Sequence, residues 1–216
     1  MAFVSKMTFR PFSLFSTALQ SNSTIKEFVV IGGGQMGSGI AQVGAQTGHQ
    51  VTLVDVSEDV LQKSQARINE SIKRVAKKKF KDDANAGEKF ITEAIGRLQV
   101  TTNPEQALAT ADLVVESVTE NIELKKKLFA SYDKVAPAKT IFASNTSSLA
   151  ISDIAMSCPQ RLDRFGGLHF FNPVAVMKLL EVVSIPETSE ETSKAMMEWG
   201  KAMGKTTVAA KDTPGK

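Results

Sequence analysis

Short apolar runs alternate along the chain with longer stretches in which apolar residues recur every three or four positions. The runs at residues 28–31, 51–54, 98–101, 113–115, 140–143, 164–169, 179–185 and 206–210 have the length of buried strands, and several are rich in valine and isoleucine. The intervening stretches have helical spacing. One carries Ile40, Ala41, Val43 and Gly44, and ends near Gly48, which suits a helix C-cap. The next opens at Ser57, a good N-cap, and continues through Val60, Leu61, Ile68, Ile72 and Val75. Further helices are predicted over 88–95, from Pro104 through Ala109, from Asn121 through Phe129, over 152–156 and over 189–203. This regular alternation predicts an α/β domain, and no internal repeat interrupts it.

Two of these helices follow one another without a strand between them. The first becomes strongly basic, with Lys73, Arg74, Lys77, Lys78, Lys79 and Lys81, and Asp82, Asp83, Asn85 and Gly87 are read as a break before the second. The pair reads as a helical-hairpin insertion after the second strand. Its charge has three readings: a solvated face, a nucleic-acid patch, or a rim for a phosphorylated handle such as coenzyme A. Aromatic interleaving is thin, so no nucleic-acid partner is expected.

The first strand-to-helix junction adds chemistry to the pattern. Gly32, Gly34 and Gly37 stand in G-x-G-x-x-G spacing directly after the run 28–31, and Asp55 ends the next strand. Strand, glycines, helix, strand and acid together form a dinucleotide-binding fingerprint. Gly32 allows the tight turn, Gly34 lets a pyrophosphate approach the backbone, and Gly37 allows the helix to pack on the strand. Asp55 would accept hydrogen bonds from ribose hydroxyls and repel a 2′-phosphate, which favours NAD over NADP. The fold class is therefore α/β and Rossmann-like.

Farther on, His169 lies in an apolar run and Glu181 lies twelve residues later in another. A carboxylate is costly to bury alone, and an imidazole partner would explain its position. Histidine also suits reversible proton transfer near neutral pH. Ser147, in a polar loop after the strand at 140–143, offers a hydroxyl to a substrate oxygen. Asn172 offers an amide to a carbonyl or a nicotinamide. A structural His169–Glu181 pair remains the plainer alternative.

Composition bounds the rest. The 216 residues have a net charge of +3, 42% hydrophobic and 23% charged residues. Cys158 is the single cysteine, and His49 and His169 are the only histidines, which leaves too few ligands for a structural zinc site. No metal is expected, and no apolar run is long enough for a membrane span. Before Glu27 there is no acid, whereas Lys6, Arg10 and Lys26 are basic and Phe3, Phe9, Phe12 and Phe15 are interleaved with Ser and Thr. That leader resembles a mitochondrial presequence, over residues 1–24, and implies the mitochondrial matrix. The nucleotide domain is then expected over 25–211, with 212–216 beginning a linker.

The stretches VIGGGQMGSGIAQV, VTLVD, VAKKKF, DLVVESVTEN, FASNTSSL, GLHFFNPV, MKLLEVV and KDTPG resemble the short-chain L-3-hydroxyacyl-CoA dehydrogenases of mitochondrial fatty-acid β-oxidation. The resemblance covers almost everything from Lys26 to Gly215. It implies NAD-dependent oxidation of an L-3-hydroxyacyl-CoA to the 3-oxoacyl-CoA, with His169 as base and Glu181 supporting it. It implies that Ser147 binds the reacting oxygen and that Asn172 positions substrate and nicotinamide. Gly32, Gly34, Gln35, Met36, Gly37 and Asp55 would hold the adenosine half of NAD, and Glu120 and Lys125 would lie near the other ribose. Ser71 and Lys78 would contact the coenzyme A moiety. The family's helical C-terminal domain, which makes its homodimer, has no counterpart here, so this chain is expected as a monomer and the complete protein as a homodimer. A non-catalytic NAD- and acyl-CoA-binding fragment, or a related hydroxyacid dehydrogenase, are the alternative readings.

Overall fold

The computed structural model describes residues 23–213. Most of the expected presequence, and residues 214–216 of the expected linker, lie outside them. Eight strands form one sheet: β1 (Glu27–Ile31), β2 (Gln50–Val54), β3 (Leu98–Thr101), β4 (Leu113–Glu116), β5 (Ile141–Ser144), β6 (Phe165–Phe170), β7 (Leu179–Ser184) and β8 (Thr206–Lys211). Their order is β3-β2-β1-β4-β5-β6-β7-β8. Strands β1 to β6 are parallel, β7 runs antiparallel to β6, and β8 is parallel to β7. The chain leaves β1 toward one side for β2 and β3, then returns to β4 on the other. A crevice therefore opens at the carboxyl ends of β1 and β4, where such sheets bind ligands.

The central strands β1, β4 and β5 are nearly continuous apolar runs because both faces of the sheet are covered there, whereas β8 at the edge is largely exposed. In β1, Phe28 and Val30 enter one core while Val29 and Ile31 enter the other. The first core is closed by α1 (Gln35–Gln46), α2 (Glu58–Lys79), α3 (Ala84–Gly96) and α7 (Glu190–Ala202), through residues such as Ile40, Ile68, Ala94 and Trp199. The second is closed by α4 (Pro104–Leu108), α5 (Ile122–Tyr132) and α6 (Ile151–Ala155), through Leu108, Phe129 and Ile154. A 3-10 turn (Pro159–Arg164) leads into β6.

The helical hairpin is present, but its second helix starts at Ala84, not near Glu88. Asp83, read from sequence as a breaker, accepts the Ala86 backbone N–H at 2.9 Å and so starts the helix. Asn85 and Gly87 lie inside α3. Helices α2 and α3 pack through Phe80 and Phe90, whose ring centroids are 5.5 Å apart. Ser57 caps α2 as expected, accepting the Val60 N–H at 3.3 Å.

Candidate active site

The glycine loop is shaped by atoms that are absent. Gly32 has φ +106°, and a Cβ there would lie 2.5 Å from the Ser117 carbonyl oxygen. At Gly37 a Cβ would lie 1.9 Å from the Gly32 carbonyl oxygen, so the first turn of α1 sits directly on the loop. Among the described residues, nothing beyond its chain neighbours lies within 4 Å of a Cβ position at Gly34, which leaves the space a phosphate needs. Helix α1 starts at this point with no side-chain cap and no acid in its first turn, so its amino end can receive an anion. Gln35 is exposed and Met36 half-buried on that same turn. These features fit the pyrophosphate of NAD.

Asp55 stands at the carboxyl end of β2, as expected, but it is not idle. Its Oδ2 accepts the Gly33 N–H at 2.7 Å and its Oδ1 accepts the Ser57 N–H at 3.1 Å. A carboxylate has about four lone-pair positions, so capacity remains for ribose hydroxyls. Gly33, outside the three motif glycines, is the hub of the loop. Its carbonyl accepts the hydroxyls of Ser38 at 3.0 Å and of buried Ser64 at 2.5 Å. The sequence signal for Ser64 is a hydroxyl on the apolar stripe of α2, in step with Leu61, Ile68 and Ile72.

Across the crevice, at the end of β4, is a buried ion cluster. The Lys125 side chain is 1% exposed, and its Nζ lies 2.7 Å from Glu116 Oε1 and 3.2 Å from Glu120 Oε2. Glu116 also accepts the Ser144 hydroxyl at 2.6 Å and the Val118 N–H at 2.7 Å. Glu120 faces outward and accepts the hydroxyls of Thr146 and Ser148 and the Ser147 N–H. Burial would raise its carboxyl, but the Thr146 hydroxyl, Lys125 and the Ser148 hydroxyl together hold it below the usual carboxylate range. Of the two residues expected near a ribose, Glu120 is therefore open to the crevice, while Lys125 acts behind it. Glu116 was missed in the sequence; its signal is a glutamate closing the wholly apolar run 113–115. Lys125 in turn occupies the buried stripe of α5, with Phe129 and Tyr132.

His169 and Glu181 meet because β6 and β7 pair them directly. The antiparallel register sets His169 opposite Glu181, and the side chains close at 2.8 Å between Nδ1 and Oε2. Both are partly exposed, at 16% and 28%. The Phe171 ring lies 4.4 Å from the imidazole. Asn145, in the loop that carries Ser147, accepts the Phe170 N–H at 2.8 Å and ties that loop to the end of β6. Ser147 is exposed there. Asn172 is exposed beyond β6, after which the Asn172–Pro173 peptide is cis; its Oδ1 accepts from Gln35 Nε2 at 3.2 Å. The loop after β6 thus touches the glycine-loop helix.

Ser71 and Lys78 lie one heptad apart on α2, half-buried and exposed respectively. A shallow groove of about 360 Å³ opens between α2 and α3, lined by Lys73, Lys77, Phe80, Lys81 and Ile91 among others, and neither Ser71 nor Lys78 lines it. Among the described residues, no group of three or more His, Cys, Asp or Glu could hold a metal ion, and no helix is long and apolar enough to cross a membrane.

Comparison with known proteins agrees with this geometry. The family model "3-hydroxyacyl-CoA dehydrogenase, NAD binding domain" matches residues 27–213. The mitochondrial hydroxyacyl-coenzyme A dehydrogenase of Homo sapiens is 50% identical over 217 residues, covering 100% of this chain and 69% of its own length. The crystal structure of (S)-3-hydroxybutyryl-CoA dehydrogenase from Ralstonia eutropha superposes with a TM-score of 0.82 at 37% identity, covering 89% of this chain and 65% of that one. The 3-hydroxybutyryl-CoA dehydrogenase of Escherichia coli gives 0.78 at 39% identity, covering 89% and 39%. The chain belongs to the 3-hydroxyacyl-CoA dehydrogenase family, of which it carries the Rossmann-like NAD-binding domain.

Proposed function

We propose that this chain carries the cofactor-binding and proton-transfer half of an L-3-hydroxyacyl-CoA dehydrogenase, which oxidises the 3-hydroxyl of an acyl-CoA to a 3-oxo group. The observation that carries the reading is the His169–Glu181 pair beside the crevice of a 3-hydroxyacyl-CoA dehydrogenase NAD-binding domain. With Nδ1 turned to Glu181, Nε2 is the ring nitrogen left for substrate. In the oxidation direction Nε2 takes the proton of the 3-hydroxyl, while Glu181 fixes the ring and stabilises the imidazolium. NAD, when bound, supplies the acceptor for the hydride on C3. Ser147 hydrogen-bonds the reacting oxygen, and Asn172 positions substrate and nicotinamide. Gly32, Gly34, Gln35, Met36 and Gly37 hold the pyrophosphate side, and Asp55 holds the adenosine ribose. Glu120, backed by Lys125, faces the second ribose. Ser71 and Lys78 meet the coenzyme A moiety, which gives part of the basic helix a specific task.

We place the complete protein in the mitochondrial matrix as a homodimer. The acid-free basic leader and the mitochondrial names of the human, pig, mouse and rat relatives support the location. The motif resemblance supports the dimer. The domain boundary is set at residues 25–211.

The test is acetoacetyl-CoA-dependent NADH oxidation by the 216-residue chain. Replacing His169→Ala lowers the rate by about a thousandfold and leaves NADH binding intact. Equal rates in the two proteins would remove the catalytic role. NADH binding with no turnover in the wild type would favour a non-catalytic binding module.

A further inference from the structure

We propose that Lys205 is a positioning residue: it grips the loop between β6 and β7 and so fixes Asn172 against the glycine-loop helix. The inference rests on the reading above, in which Asn172 meets substrate and cofactor. Lys205 follows the end of α7 and precedes β8, on elements that carry no site residue. It is 8% exposed. Its Nζ donates to the carbonyl of Val174, and to that of Met177 at 2.8 Å, which are 31 and 28 residues away. The Phe170 ring lies 5.9 Å from the ammonium, and the Gly200 carbonyl at the end of α7 accepts the Lys205 backbone N–H at 3.0 Å.

The gripped segment, residues 171–178, is tied at its far end by the Lys178 carbonyl, which accepts the Thr206 N–H at 2.7 Å. Asn172, Pro173, Ala175, Val176, Met177 and Lys178 are all exposed. Val174 alone is buried, at 3%, and it lies against Gly39 of α1, where a Cβ would come within 2.9 Å of the Val174 Cβ. Val174 is thus held twice, by its side chain on α1 and by its carbonyl on Lys205. Two residues earlier, Asn172 makes its contact with Gln35. The lysine therefore joins the antiparallel end of the sheet to the helix that begins the cofactor site.

Lysine is an expensive choice for this place. Among the described residues its bonded partners are carbonyls, with no carboxylate to offset the desolvation of the ammonium. Burial first, and the neighbouring charge of Lys178 second, bring its pKa down to about 8. Methionine would fill the space at no such cost. What the ammonium adds is a set of donors, two of which hold carbonyls from opposite ends of one turn.

The experiment compares the 216-residue wild type with Lys205→Met and Lys205→Arg, by amide hydrogen exchange at neutral pH and by thermal melting. The informative amides are those of Val176 and Met177, which donate within the loop to the Pro173 carbonyl. In the folded Lys205→Met protein they exchange faster by about tenfold for each charge-assisted bond lost, while residues 35–46 are unaffected. Lys205→Arg, which keeps donors, restores much of the protection. In turnover, Lys205→Met lowers kcat by about tenfold, while the KM for NADH changes less because the glycine loop is untouched. Loop exchange identical to wild type in Lys205→Met would overturn the proposal, as would acceleration spread evenly over the whole sheet. A wild-type chain that turns nothing over, yet shows the loop-confined change, would remove the catalytic reading and keep the grip.

Discussion

Between Gly32 and Gly37 the molecule presents its backbone, and side chains there are chiefly a hindrance. Between residues 116 and 181 side chains carry the polar contacts, and the backbone chiefly sets their register. The first region is contiguous in sequence, and Ser117 after β4 and Ser64 of α2 close around it. The second is assembled from β4, α5, β5, β6, β7 and the loops between them, with the Asn145–Phe170 bond as one of its stitches. A backbone site fails when something is added, because there is no room. A side-chain site fails when something is removed, because a buried partner is left alone.

That contrast can be broken by experiment, starting with the largest effect. Lys125→Met removes one member of the buried cluster and leaves Glu116, which is 0% exposed, without its cation. The expected loss is about 4 kcal/mol in urea unfolding, and a loss near zero would mean that water reaches Glu116. Next comes an addition in the other region. Gly37→Ala puts a methyl group 1.9 Å from the Gly32 carbonyl oxygen, at an expected cost of about 3 kcal/mol with loss of NADH binding. Its control is Gly34→Ala, where nothing lies within 4 Å. Stability there falls by only about half a kcal/mol, while NADH binding weakens because the methyl enters the phosphate space.

A comparable effect separates the two regions by pH. His49 lies behind the glycine-loop helix, 3% exposed, with its ring edge-on to Phe28 and Trp199. Burial, opposed by the Gly44 backbone bond and aided by the charge of Arg97, lowers its pKa from 6.5 to about 4. Unfolding releases an imidazole that binds a proton near pH 6.5, whereas the folded protein resists until about pH 4. The stabilisation is complete above the upper value and is lost as pH falls between the two, amounting to about 3 kcal/mol. Urea titrations at neutral and acid pH on wild type and His49→Phe test this: the variant should lose less stability on acidification. The smallest effect belongs to the His169–Glu181 pair, proposed above as catalytic. Glu181→Gln keeps a hydrogen-bonding atom opposite His169 but removes the charge, so turnover falls by about tenfold with little change in melting temperature. A large drop in melting temperature would make the pair structural.

The same contrast explains what could be read from the chain itself. The glycine loop was legible because its parts are neighbours in sequence and each glycine answers a local steric demand. His169 and Glu181 were legible as a pair from the cost of a lone carboxylate in an apolar run. Their direct opposition was not, because strand direction is absent from local pattern and β7 runs against β6. Asp83 was misread because an Asp that ends one helix and an Asp that caps the next look alike in composition. Lys205 and Glu116 escaped because their partners lie in other elements. Only the fold shows that a charge in an apolar stretch has an ion partner in one case and two carbonyls in the other.

Asp55 has a consequence for how coenzyme preference can change over evolution. Its carboxylate anchors the Gly33 and Ser57 amides and, in the function proposed above, also opposes a 2′-phosphate. Preference and loop shape are therefore inherited together. A single exchange that admits the extra phosphate also unties the loop that must hold the pyrophosphate, so its first carriers bind both coenzymes poorly. Admitting the phosphorylated coenzyme would then take a second substitution that re-anchors Gly33.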